Sequence, residues 1–105
     1  MGYTLDLQKI ADELDFDLED VEMLLEVFLE STNDSMNELK SAIEANDFEL
    51  IYILAHAIKG SAANLTLKEI FDIALEMEQN ARNKKIFDYQ ESYKKLEELL
   101  SAIEN

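Results

Sequence analysis

Cysteine, proline and tryptophan are absent from the 105 residues, and glycine occurs only at positions 2 and 60. Without cysteine there is no disulfide and no thiolate metal site, and the redox compartment leaves no mark on the chain. The lack of proline and glycine, with little β-branched alternation, is an all-helical composition. It also removes the glycine-built turns that an oxyanion hole or nucleophile elbow of a Ser-His-Asp hydrolase needs. No apolar run approaches the ~20 residues of a membrane span, and the N-terminus lacks a charged-then-apolar signal pattern, so a cytoplasmic location is expected. Basic residues are scarce, 9 against 24 acids, for a net charge of −15. Nucleic acid and anionic membrane surfaces, which demand Lys and Arg stripes, are therefore not expected partners. A partner with a basic rim would be favoured. Histidine occurs once, and one His without a helical partner ligand makes no metal site. No cofactor is expected.

What remains describes a folded helical chain. The length suits one domain over residues 1–105, and 48% hydrophobic content supports a packed core rather than an acidic disordered chain. Residues 4–14 are expected to form a short helix capped by Thr4, with Leu7, Ile10, Ala11 and Leu14 as its apolar stripe. Asp17 is placed to cap a second helix, whose stripe runs Val21, Leu24, Leu25, Phe28, Thr32, Met36, Leu39 and Ile43. Its polar run from Ser31 to Ser35 suggests a bend. Asn46 suits a left-handed turn and Asp47 a cap.

The third helix, about 48–64, buries Ile51, Leu54, Ala55, Ile58, Ala62 and, just past it, Leu65. Tyr52, His56, Lys59 and Ala63 run along its other side. Thr66 and Glu69 read as a capping box opening a fourth helix, 67–82, with Leu67, Ile70, Phe71, Ala74, Met77 and Ala81 inward. After an Asn83-Lys84-Lys85 loop, a fifth helix over about 87–103 packs Tyr89, Tyr93, Leu96, Leu100 and Ile103. Short loops make consecutive helices antiparallel, so the bundle proper (17–103) is expected to be an up-down four-helix bundle with the first helix covering one end or side.

Chemistry concentrates at His56. A helix turns about 100° per residue, so Lys59 lies about 60° from His56 around the axis and Gly60 about 40° to the other side. An imidazole, an ammonium and a bare patch of backbone share one face. Residues 51–67 contain no Asp or Glu. A phosphorylated imidazole would be opposed by nearby carboxylates by about 1 kcal/mol each at 4 Å in water, so an acid-free window suits it. Sparse charge in a buried helix explains much of that pattern, but not Lys59. Gly60 costs a helix interior up to about 1 kcal/mol relative to Ala, and close approach of a partner or of a neighbouring helix would account for it. Ser61 is given no catalytic role. Arg82, Lys84 and Lys85 read as charge complements to a helix C-terminus.

The run His56-x-x-Lys59-Gly60-Ser61-Ala62-Ala63-Asn64-Leu65, on the third of five helices, resembles the histidine phosphotransfer (HPt) domains of bacterial phosphorelays. The resemblance implies a monomeric four-helix bundle without an ATP site, whose exposed histidine takes a phosphoryl group from one receiver-domain aspartate and gives it to another. His56 would be the phosphoacceptor, through Nε2, and Lys59 would steady the phosphoryl oxygens. Tyr52, Lys59, Gly60, Ala63 and Glu78 would meet the receiver, with Glu78 facing the histidine from the next helix. A sensor histidine kinase is the other partner implied. Family members usually carry glycine where this chain has Thr66, and the capping box is a physical substitute for it. An ordinary imidazole, with a pKa of about 6.5, is a usable nucleophile at cellular pH. Two other functions fit the same residues: the phosphoacceptor domain of a chemotaxis-type kinase, and an acidic helical adaptor in which His56 is never modified.

Overall fold

The computed structural model describes residues 6–104, with the side chain of Glu104 excepted. Within them the chain forms five helices and no strand: α1 (Leu7–Leu14), α2 (Leu18–Glu44), α3 (Phe48–Asn64), α4 (Lys68–Arg82) and α5 (Tyr89–Glu104). Packing pairs α2 with α3, α3 with α4, α4 with α5, and α5 back with α2, while α1 lies against α2. The molecule's long dimension, 41 Å, matches the ~40 Å expected of the 27-residue α2 at 1.5 Å per residue.

The core follows the expected stripes closely. Val21, Leu39, Ile51, Ile58, Leu67, Ile70, Met77 and Leu96 are its largest fully buried side chains, each contributing roughly 1.5–3 kcal/mol through burial. All six inward positions assigned to the third helix are buried. Leu24 departs from its stripe and is 37% exposed, because it stands at the edge of the face that Val21, Leu25 and Phe28 fill. Phe71, Tyr93 and Ile103 are half-buried at the rim.

Helix starts required several corrections. Thr4 lies outside the described residues; α1 begins at Leu7 and is capped by Asp6, whose side chain accepts from Lys9 N at 3.1 Å. Asp17 occupies the cap position of α2 but makes no side-chain cap bond. α2 runs unbroken through Ser31–Ser35, with Thr32 buried on its inward stripe and Ser31, Asn33 and Asp34 exposed. Asp47 does cap α3, accepting from Leu50 N at 3.2 Å. The fifth helix starts two residues later than expected, at Tyr89, behind Asp88, which accepts from Glu91 N.

The expected capping box at Thr66 does not form. Leu67 holds the N-cap position of α4 without a side-chain cap bond, and Thr66 is in the left-handed region at φ 56°. All four helix ends that lead into another helix close this way, through Asp15, Asn46, Thr66 and Lys84. At each, the next N–H returns to a carbonyl five residues back (Phe16 to Ala11, Asp47 to Ala42, Leu67 to Ala62 and Lys85 to Asn80), all at 2.9 Å. This is the closure that glycine usually serves, built four times without one. Asn and Asp tolerate it, whereas Thr66 is β-branched and takes a conformation uncommon for its type. Thr66 thus takes the left-handed conformation that glycine usually serves at a helix end.

Candidate functional site

His56 stands on α3 with its side chain 61% exposed. Its Nδ1 lies 2.5 Å from Glu78 Oε2, and Lys59 Nζ lies 2.7 Å from the other carboxylate oxygen, Oε1. One carboxylate from α4 therefore holds both His56 and Lys59 of α3. An ionised carboxylate only accepts hydrogen bonds, so the proton between His56 and Glu78 belongs to Nδ1. In the neutral ring that leaves Nε2 with its lone pair.

Glu78 itself is buried, 7% exposed. Burial pushes its carboxyl up, and the hydrogen bonds and charges of Lys59 and His56 outweigh burial, holding it below its ordinary value. Lys59 is more enclosed than a surface lysine, at 22% exposed. The acid-free window from 51 to 67 is thus acid-free along the chain only. In space one carboxylate enters it, balanced by the one lysine that the window contains.

Tyr52, one turn before His56, places its ring 6.2 Å from the imidazole with planes inclined by 31°. Ala63 is exposed one turn beyond Lys59 and Gly60, on the same helix face, and lines an open groove with Thr66, Phe71 and, from α1, Lys9 and Ile10. A Cβ built on Gly60 would meet nothing within 4 Å. No neighbouring helix needs that glycine. Of the two accounts of Gly60, only clearance for something from outside is left.

Sequence spacing brought His56, Lys59 and Gly60 together and placed Glu78 opposite by resemblance alone. A stronger signal for Glu78 was present. It follows Ala74 by four residues and precedes Ala81 by three, so an acid occupies a position on the inward stripe of α4. A buried carboxylate calls for a partner, and the one Lys or Arg of the adjoining α3 is Lys59. Among the described residues there is no cluster of His, Cys, Asp or Glu suited to a metal ion, and no helix long and apolar enough to cross a membrane.

Comparison with curated proteins and with solved structures gives no match. The family model of the Hpt domain matches residues 23–105, which takes in α3, α4, α5 and most of α2 and leaves α1 outside. On that match the chain belongs to the Hpt domain family, whose members carry out histidine phosphotransfer in phosphorelays with receiver domains and kinases.

Proposed function

We propose that His56 is the phosphoacceptor of this chain, taking a phosphoryl group from the phospho-aspartate of one receiver domain and yielding it to the aspartate of another. One observation carries the reading: Nδ1 of the exposed His56 ring lies 2.5 Å from the Glu78 carboxylate, which assigns the proton to Nδ1 and leaves Nε2 as the free nucleophile. In the forward step the Nε2 lone pair attacks phosphorus. The N–P bond forms as the bond to the aspartyl oxygen breaks, and the receiver keeps the electron pair as a carboxylate. The ring becomes cationic through its attachment to phosphorus, and Glu78 faces that charge across Nδ1–H. The second receiver's carboxylate reverses the step.

Phosphoryl transfer needs mainly positioning and charge stabilisation. Lys59 supplies a cation beside the ring and, by turning from Glu78 toward the phosphoryl oxygens, would neutralise charge arriving on Nε2. Tyr52, Lys59, Gly60 and Ala63 would form the surface that a receiver meets, with Glu78 beneath it. We read the whole chain as one unit, an up-down antiparallel bundle of α2–α5 with α1 against it, acting as a cytoplasmic monomer without a cofactor of its own.

The test is transfer from a panel of phosphorylated receivers to the purified chain. Label should appear in an acid-labile, base-stable form and be absent from His56→Gln. Undiminished labelling of that variant overturns the assignment. Labelling only by a kinase with ATP, and by no receiver, would replace the shuttle with the phosphoacceptor domain of a kinase.

A further inference from the structure

The loop between α4 and α5 carries charge of the opposite sign to the rest of the chain. Residues 79–87 include Arg82, Lys84 and Lys85, three of the nine basic residues, and no acid. Outside 51–67 no run without Asp or Glu is as long. Arg82, in the last turn of α4, complements that helix's C-terminus. The helix end does not account for Ile86, which is fully exposed and the most exposed large hydrophobic side chain among the described residues.

A single exposed isoleucine is ordinary on a surface, but this one stands on a loop fixed at both ends. Before it, Lys84 N–H returns to Ala81 O at 3.0 Å and Lys85 N–H to Asn80 O at 2.9 Å. After it, the rings of Phe87 and the buried Tyr89 meet edge-on at 5.2 Å, and Tyr89 also meets Phe48 of α3 at 6.1 Å. The Tyr89 hydroxyl donates to Lys85 O at 2.9 Å and closes the loop across Ile86. The loop is anchored on either side, while a β-branched side chain, stiff at χ1, is left in solvent. An apolar group held in this way loses little freedom when a partner covers it.

The lysines open on the side of α4 turned away from His56. Lys85 lines a polar cleft with Gln79, Asn80 and Asn83. Asn80 and Asn83 stand about 200° and 140° around α4 from Glu78, the residue that meets His56. Glu76 is the acid at that cleft, and Asp88 is engaged in capping Glu91 N.

The extent of the charge decides between anionic partners. A membrane or a nucleic acid is a continuous anionic surface and would also meet the acids that give the chain its −15. A cluster of carboxylates on a protein is only as wide as the loop, and acids farther than a Debye length of about 8 Å are screened from it. We infer that the Arg82–Ile86 loop docks an acidic segment of another protein, whose apolar side chains cover Ile86 while its carboxylates pair with Arg82, Lys84 and Lys85. The inference does not depend on what His56 does.

The experiment titrates the isotope-labelled full chain with three synthetic peptides and with vesicles of phosphatidylcholine and phosphatidylserine. One peptide intersperses leucines among glutamates; the second has lysine for glutamate; the third has serine for leucine. The first should shift amide resonances concentrated in residues 79–88, with binding that weakens as salt is raised. Ile86→Ser, at a fully exposed site, should weaken it about tenfold, the loss of the one apolar anchor. Lys84→Gln combined with Lys85→Gln should weaken it as much and remove most of the salt dependence. His56→Gln should bind as the parent chain does. Absence of shifts, shifts centred on another face, equal binding of either control peptide, or full affinity in Ile86→Ser would overturn the proposal. So would vesicle binding that Ile86→Ser abolishes, since lipid would then be the occupant.

Discussion

The two flanks of His56 are built to opposite plans. Toward α4 the imidazole is tied down: Glu78 takes Nδ1–H, Lys59 holds the far oxygen of the same carboxylate, and Tyr52 stands one turn before the ring. On the other side, among the described residues, the ring meets no polar neighbour: a Cβ at Gly60 faces nothing within 4 Å, and Ala57 and Ile53 are exposed beside it. The residues of α3 on both flanks come from one helix of 17 residues, and the difference lies in what faces them: Glu78 of α4 on one side and nothing within 4 Å of a Cβ at Gly60 on the other. The division teaches that orientation and access are separate demands, met by residues a few tens of degrees apart. A nucleophile exposed on both flanks would rotate freely; one tied on both could not be reached.

Removing the tie should have the largest effect. Glu78→Ala leaves Nδ1 and Lys59 without their shared acceptor, frees the imidazole to exchange tautomers, and still leaves His56 exposed and chemically intact. Transfer from a phospho-receiver should slow about 10- to 100-fold, the range seen when a group that orients a functional histidine is lost. Measured in single turnover, the loss should lie in the transfer step rather than in receiver binding. An unchanged transfer rate would mean that the tied flank does no orienting.

Lys59→Ala cuts the same flank less deeply. The His56–Glu78 bond survives, so the tautomer is kept, while the cation that would meet the phosphoryl oxygens is gone. We expect about a tenfold slower transfer, the equivalent of 1.4 kcal/mol in the barrier. Helicity by circular dichroism should stay unchanged. A loss equal to that of Glu78→Ala would show that the lysine acts only by holding Glu78 in place.

The bare flank makes the opposite prediction. Since a Cβ at Gly60 meets no atom within 4 Å, Gly60→Ala should stabilise the fold by about 0.5–1 kcal/mol through helix propensity and leave transfer nearly unchanged. Gly60→Gln should fold as well as Gly60→Ala but raise the receiver concentration needed for half-maximal transfer several-fold. If Gln transfers as well as Ala does, access is not what that glycine provides.

Much of this contrast was legible in the sequence, and the remainder shows where periodicity stops. The inward stripe of α3, its cap at Asp47 and the left-handed Asn46 all follow from local rules, and so does the shared face of His56, Lys59 and Gly60. Local rules misplaced the Thr66 turn because Thr-x-x-Glu fits a capping box on its own terms. The return of Leu67 N–H to Ala62 closes α3 first and uses Thr66 in a conformation its propensity disfavours. The 22-residue link from His56 to Glu78 depends on how α3 and α4 sit against each other, which spacing within either helix does not encode. Leu24 was assigned inward because its spacing permits it; at a stripe edge, exposure is decided by what packs opposite.

The smallest expected effect is on stability, and it isolates the tied flank without any partner. Glu78 has its carboxyl held below the ordinary value in the folded chain, against about 4.3 for an unperturbed glutamate. A depressed folded value favours the native state wherever the unfolded carboxyl would be ionised too, so the contribution is fully present above the unfolded pKa. It is lost as pH falls through the folded one. Glu78→Gln keeps an oxygen for Nδ1–H and the volume of the side chain, but loses the charge that Lys59 meets. Denaturant unfolding should therefore find the variant less stable than the parent at pH 7, by about 1 kcal/mol. The gap should close as both are acidified below about pH 4. Exposed carboxylates elsewhere titrate alike in both proteins and cancel in the difference. A gap that persists undiminished in acid would mean that Gln disturbs packing around position 78, and that the ion pair with Lys59 contributes nothing to the fold.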